Sequence, residues 1–153
     1  MYINPEQAKK LRIPSLTIEV ERGRLRLFAK AIGQTNPIYF DLNAAREAGH
    51  RDLPVPLTYL GHALELEYPN PLGWLASLGA DLANGLHAEQ SFEYYETAYA
   101  GDILTLKRQV TDVFTKRNGR LEFIAKTTTV MREEAKIADI ISVIAIQHPE
   151  ASP

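Results

Sequence analysis

The chain contains no cysteine, which excludes disulfide bonds, thiolate metal sites and cysteine nucleophiles. It also lacks an apolar run of about 18 residues, the length that a membrane-spanning helix requires. No apolar stretch preceded by positive charge follows Met1, so we expect no signal peptide and a cytoplasmic protein. The net charge of −2 offers no general attraction to nucleic acid or to an anionic membrane.

Motifs with a known chemistry are missing too. The chain has no HExxH or related spacing, so we expect no metal. It has neither a glycine-rich phosphate loop nor a GxSxG nucleophile elbow. What remains is an ordinary globular composition, 45% apolar and 24% charged, and the 153 residues predict a single domain over 1–153.

The first half of the chain predicts a short strand followed by helices. Apolar and polar residues alternate over Leu16–Val20, and apolar spacing from Leu25 predicts a helix over residues 21–32 that ends at Gly33. Asp41 suits the N-cap of a further short helix. A wide apolar stripe after Pro56 predicts a longer, well-buried helix to about Glu67.

The second half predicts an antiparallel meander, with Asn118-Gly119 as a two-residue hairpin turn. The last run is almost wholly apolar, which is typical of a central strand covered on both faces. Together with the long helix, these strands predict an α+β protein with a helix packed on the sheet. The predicted strands are Leu86–Tyr95, Ile103–Phe114, Leu121–Met131 and Ile137–Ile146.

Residues 33–39, which read Gly-Gln-Thr-Asn-Pro-Ile-Tyr, resemble the signature of the MaoC-like (R)-specific enoyl-CoA hydratases and 3-hydroxyacyl dehydratases. That signature runs Gly-Asp-x-Asn-Pro-aliphatic-His, with an aromatic residue before it and Ala or Ser after it, positions that Phe28 and Ala45 fill here. The resemblance implies a hot-dog fold, in which an antiparallel sheet of about five strands wraps a long central helix. It also implies a lyase of fatty acid metabolism that uses an acyl-CoA or acyl-carrier-protein thioester and no cofactor.

The two residues that perform the chemistry of this family are replaced. Its Asp corresponds to Gln34 and its His to Tyr39. Hydration of an enoyl thioester needs a base to activate water and an acid to protonate the α-carbon, help that contributes about 10²–10⁴-fold in rate. An amide exchanges no proton near neutral pH, and a phenol mainly donates hydrogen bonds. We therefore assign no catalytic residue.

Two further segments refine the resemblance. Pro56-Leu57-Thr58-Tyr59 is similar to the start of the central helix in the substrate-anchoring subunits of heterodimeric dehydratases, and residues 87–94 and 101–102 resemble their later strand and turn. His87 could act with Glu89, two residues along the same strand face, or be an ordinary surface residue. We expect substrate contacts from Gln34, Asn36, Pro37, Tyr39, Thr58 and His87.

Other readings of these residues stay open. Asn36-Pro37 suits a turn as well as a ligand contact, and Tyr39 could simply fill the vacated cleft. The basic hairpin tip Lys116–Arg120 could meet phosphates or serve solubility alone. The apolar stretch from Trp74 to Leu82 is either a short helix or a mobile segment, and it could cover an acyl chain or pack in the core.

Three functional hypotheses follow. In the first, the chain is a substrate-anchoring subunit that forms a heterodimer with a catalytic MaoC-like chain. In the second, it is a homodimeric acyl-CoA-binding protein without catalysis. In the third, it is a divergent hydratase whose site has moved, for example to His87 and Glu89.

Overall fold

The protein is described by a computed structural model that covers residues 2–148, apart from the side chain of His62. Its centre is an antiparallel sheet of five strands in the order β1-β3-β4-β5-β2. Every predicted strand is confirmed, with ends that move by no more than two residues. The strands are β1 Leu16–Glu19, β2 Gly85–Tyr94, β3 Ile103–Lys116, β4 Leu121–Arg132 and β5 Ala135–Gln147.

The helices are short, and among the described residues none is both long and apolar enough to cross a membrane. They are α1 Pro5–Lys9, α2 Arg22–Ala31, α3 Leu42–Glu47, α4 His62–Glu65 and α5 Gly73–Ser77, with 3-10 turns at Pro37–Tyr39, Leu57–Leu60 and Leu82–Asn84. The end of α2 is confirmed: Gly33 has a φ of 73°, and Asp41 caps α3 by accepting from the N–H of Ala44 at 2.7 Å. Helix α1 was not predicted.

The prediction of one long central helix was wrong. The segment forms a 3-10 turn at Leu57–Leu60 and then the single turn α4, because the backbone leaves the helical conformation at Gly61, with ψ −118°. A Cβ at Gly61 would lie 2.5 Å from Nε2 of Gln90 and 3.1 Å from the ring of Phe92. The glycine therefore lets the central segment approach β2 closely and interrupts the helix at the same point.

The hairpin between β3 and β4 also differs in detail from the expectation. Lys116 pairs with Leu121, so the loop between β3 and β4 has four residues rather than two. Asn118 and Gly119 do carry the positive φ angles, 55° and 85°, that suit them to such a turn. Strand β5 is an interior strand as predicted, although β4 is the one at the middle of the sheet.

The inner face of the sheet packs against the helical segments in two apolar clusters. The first cluster joins Leu25, Leu60 and Leu64 to Leu104 and Ile140. The second cluster contains Ile3, Trp74, Leu75, Val110 and Ile124. The alternation of side chains along each strand places both clusters on one face. Trp74 is therefore a core residue, one of the two roles expected for its segment.

Between the two clusters lies a buried polar group of residues, here called the polar centre. It consists of Glu65 from α4, Arg108 from β3, Lys126 and Thr128 from β4, and Ser142 from β5. Lys126 lies opposite Ser142, and Arg108 lies opposite Thr128, so these four strand residues share the inner face. The apolar interior is thus interrupted at its middle by charged and hydroxyl side chains.

Candidate functional site

Four of the six predicted ligand residues lie in one loop between α2 and α3. The side chain of Gln34 is half-buried, and its Oε1 accepts from the backbone N–H groups of Thr35 and Asn36, each at 3.0 Å. Oδ1 of Asn36 accepts from the N–H of Ile38 at 3.2 Å, which caps the 3-10 turn that Pro37 begins. Both side-chain oxygens therefore organise the loop that carries them.

Three contacts fix this loop and the helix α2 that leads into it. The ring of Phe28 in α2 meets the ring of Tyr59 in the central segment edge to face, with centroids 5.3 Å apart. Ile38 packs against the first cluster, and Nε of Arg26 donates to the carbonyl oxygen of Phe40 at 2.8 Å. A loop held in this way offers a substrate a fixed surface.

The chemical capacity of the loop is limited to hydrogen bonding. Gln34 stands where the signature has its acid, and half-buried Tyr39 stands where it has its histidine. Neither an amide nor a phenol takes a proton from water near neutral pH, although both can donate hydrogen bonds to a carbonyl oxygen. The arrangement can hold a polar substrate group, and it lacks a general base.

The remaining two candidates lie elsewhere. Thr58 is exposed on the 3-10 turn at Leu57–Leu60, next to buried Tyr59, whose ring contacts α2. His87 is exposed on β2, where a bulge shifts the register: His87 pairs with Ile144, whereas Glu89 pairs with Val143.

The bulge corrects the expected position of Glu89. Directly paired residues share a sheet face, and Ile144 and Val143 are neighbours whose side chains point to opposite faces. His87 and Glu89 therefore point to opposite faces, and the expectation that they share one was wrong. Among the side chains described, no three His, Asp or Glu residues are placed to hold a metal ion.

The polar centre is a buried charged site that the sequence interpretation missed. Nζ of Lys126 donates to Oε1 and Oε2 of Glu65 at 2.6 and 2.5 Å, and the hydroxyl of Thr128 donates to Oε1 at 2.5 Å. Burial would raise the pKa of Glu65, but Lys126 and Thr128 outweigh it and hold that pKa below its ordinary value. A signal did exist, because Lys126 and Thr128 occupy alternate positions between the apolar residues Ile124 and Val130 of β4.

A second buried carboxylate closes the turn between β2 and β3. Asp102 accepts from the N–H of Tyr99 at 2.9 Å, from Nη1 of Arg132 at 2.9 Å and from Nη2 of Arg51. Burial would raise the pKa of Asp102, but these donors, Arg51 foremost, bring it below its ordinary value. The Gly101-Asp102 turn is therefore a structural clamp.

The basic hairpin tip borders an open cavity of about 680 Å³. Arg117 and Arg120 line it from the tip, and Gln147 and His148 line it from the end of β5. Its size is within the range of small-molecule sites. A role for the tip in binding phosphates remains a prediction.

Comparison with known proteins identifies the family. Residues 9–140 match the family described as FAS1-like, dehydratase domain region. A UPF0336 protein of Clavibacter michiganensis subsp. michiganensis is 31% identical over 153 residues, which cover 99% of this chain and all of that protein.

Solved structures share the fold at lower identity. The C-terminally truncated HadBC (3R-hydroxyacyl-ACP dehydratase) complex of Mycobacterium tuberculosis matches with a TM-score of 0.74, 20% identity, and 88% and 92% of the two chains covered. The ChsH1-ChsH2 complex of Mycobacterium tuberculosis matches with a TM-score of 0.73 and 22% identity, over 96% of this chain and 95% of that chain. The MaoC-like dehydratase of Rhodospirillum rubrum matches with a TM-score of 0.62 and 16% identity, over 88% of this chain and 90% of that chain. The chain therefore belongs to the FAS1-like dehydratase-region family and has the hot-dog fold of the MaoC-like dehydratases.

Proposed function

We propose that this chain is the substrate-anchoring subunit of an (R)-3-hydroxyacyl dehydratase or enoyl-CoA hydratase, and that a second hot-dog chain supplies the Asp and His. The observation that carries the proposal is the state of the loop between α2 and α3. It keeps the frame of the family signature, while Gln34 accepts two hydrogen bonds from its own loop where the signature has an acid. Such a loop can position a thioester and cannot activate water.

The outer edge of the sheet supports the need for a partner. Strand β2 is an edge strand, and an edge strand presents unpaired N–H and C=O groups that favour pairing with another chain. Large apolar side chains are exposed along and beside it: Leu86 at 62%, Leu57 at 58% and Tyr95 at 46%. Burying this edge would contribute to a standard interface of about 1,600 Å². Two of the similar solved structures are complexes, HadBC and ChsH1-ChsH2.

Activity with and without a partner tests the proposal. The purified chain alone is expected to hydrate crotonyl-CoA no faster than background. Co-expression with an Asp- and His-bearing hot-dog chain from the same host should yield a stable complex that turns over. Brisk turnover by the lone chain would refute the assignment, and so would a complex that never forms with such a partner.

A matched pair of variants locates the interface. Leu86→Glu places a charge on the edge strand and should abolish complex formation, because a buried unpaired charge is strongly unfavourable. Leu27→Glu is the control, since Leu27 is exposed to a similar degree, at 70%, but lies on α2 and not on the edge strand. Gel filtration and activity of the two co-expressed variants give the readout. Equal loss in both would show that β2 is not the contact surface.

The same edge supports the second hypothesis, a homodimer that binds acyl-CoA without catalysis. An antiparallel edge can pair with a copy of itself about a two-fold axis. Light scattering gives the oligomeric state, and calorimetry with acyl-CoA of several chain lengths gives binding. A homodimer that binds acyl-CoA and forms no complex with any catalytic partner supplied would favour this function.

The third hypothesis, a divergent hydratase, can no longer rely on His87 and Glu89 acting together, since their side chains lie on opposite faces of the sheet.

A further inference from the structure

A second cavity lies against β3, near the edge of the sheet opposite to β2. It shares no lining residue with the loop between α2 and α3. Its volume is about 460 Å³, within the range of small-molecule sites. Its walls are mainly apolar, formed by Leu11, Ile13, Tyr68 and Trp74. None of the residues that line it is acidic, whereas Arg12 and Arg108 both line it.

Arg108 is the unusual member of this lining. It is only 7% exposed, and its guanidinium carbon lies 3.4 Å from the ring centroid of Tyr68. Nη1 donates to the carbonyl oxygen of Pro71 at 3.0 Å, whereas Nε is buried without a hydrogen-bond partner among the described residues. A buried donor that lacks an acceptor is unfavourable and calls for explanation.

The surrounding charges compensate the positive charge of Arg108 only in part. Arg108 belongs to the polar centre, in which the two oxygens of Glu65 already bind Lys126 and Thr128. That group therefore contains two cations and one carboxylate. Burial lowers the pKa of Lys126, Glu65 opposes this, and Arg108 lowers it further, as expected for an excess of positive charge.

We infer that this cavity is a binding site for a small apolar monocarboxylate, such as a medium-chain fatty acid. The carboxylate group meets the guanidinium group of Arg108, and Arg12 provides a second cation on the lining. The hydrocarbon part lies against Trp74, Tyr68, Leu11 and Ile13. The ligand supplies the negative charge that the polar centre lacks. This site goes beyond the proposed anchoring function and does not depend on it.

Fluorescence tests the inference directly, because Trp74 is the only tryptophan in the chain and lines the cavity. Octanoate added to the full chain at neutral pH should change the tryptophan emission and raise the melting temperature. Octanamide has nearly the same size and no charge, and we expect it to bind at least tenfold more weakly. Equal affinity for the two probes, or no response to octanoate, would overturn the proposal.

Two variants separate a binding role of Arg108 from a structural one. Arg108→Met should weaken octanoate binding at least tenfold, while the unliganded variant melts no lower than the parent, since it removes one of two buried cations that share a single carboxylate. Lys30→Met removes an exposed cation at the end of α2 and should leave binding unchanged. Undiminished octanoate binding by Arg108→Met would overturn the inference. If that variant fails to fold, the comparison of octanoate with octanamide on the parent chain decides.

Discussion

Removing Glu65 from the polar centre should destabilise the protein severely. Glu65→Leu deletes the acceptor of both hydrogen bonds from Lys126 and of the one from Thr128, and it leaves Lys126 and Arg108 buried together as two cations. Breaking a buried ion pair on one side costs about 3–5 kcal/mol. In a domain of this size each kcal/mol corresponds to roughly 2–4 °C, so the melting temperature should fall by roughly 6–20 °C.

The asymmetry of the site makes the prediction sharper. Lys126→Met leaves one buried carboxylate that still has the hydroxyl of Thr128 and the charge of Arg108 nearby, so it should be the milder change. The double variant Glu65→Leu/Lys126→Met should recover to within about 1 kcal/mol of the parent, since apolar replacement of a buried pair is often neutral or stabilising. Urea unfolding followed by circular dichroism gives the three free energies.

The pH dependence of Glu65→Leu provides an independent check. Without Glu65, burial and Arg108 lower the pKa of Lys126 unopposed. The folded variant then binds fewer protons than the unfolded chain, so its stability relative to the parent should rise as the pH increases towards about 10. The reasoning is refuted if Lys126→Met proves the more damaging single change. A double variant as unstable as the sum of the singles would refute it too.

Three further predictions concern turns and caps. The lowered pKa of Asp102 means that its ion pairs contribute stability above about pH 4 that disappears as the pH falls further. The free energy of unfolding, measured with urea at a series of pH values, should therefore fall less steeply below about pH 4 in Asp102→Asn than in the parent. The exposed variant Asp112→Asn should follow the parent. Gly33→Ala should cost about 1–2 kcal/mol because of its φ of 73°, while Gly23→Ala, with open space and no positive φ, should be neutral or stabilising in the same assay. Asp41→Ala removes the cap of α3 and should cost about 0.5–2 kcal/mol by thermal melting, and no loss would show that the cap is dispensable.

The sheet could be predicted from the sequence because its signals are local. Alternation of apolar residues located β1, and an almost wholly apolar run located β5. Single residues such as Gly33 and Asp41 marked the helix boundaries through backbone effects that act within a few positions. The loop at residues 33–39 was found through its resemblance to a family signature, and the hydrogen bonds that shape it are local, since they join residues one or two apart.

What failed depends on contacts between distant segments. The apolar stripe from Leu57 to Leu66 favours a continuous helix, and only the approach of Gln90 and Phe92 shows why Gly61 interrupts it. Lys126 looks like a solvent-facing residue until Glu65, 61 positions earlier, is placed beneath it. The bulge that separates His87 from Glu89 likewise follows from pairing with β5 and has no sequence signal of its own.

One buried carboxylate near the hairpin tip has a consequence for engineering this protein. Oε1 of Glu122 accepts from the N–H groups of Tyr2 and Ile3 at 3.0 and 3.1 Å, while Oε2 lies 3.0 Å from Nε2 of His148, whose ring stacks on Tyr2. Any polypeptide fused before residue 2 and any fused after residue 148 would leave the domain from a single corner. Two such fusions would be neighbours, because Glu122 holds residues 2 and 148 together.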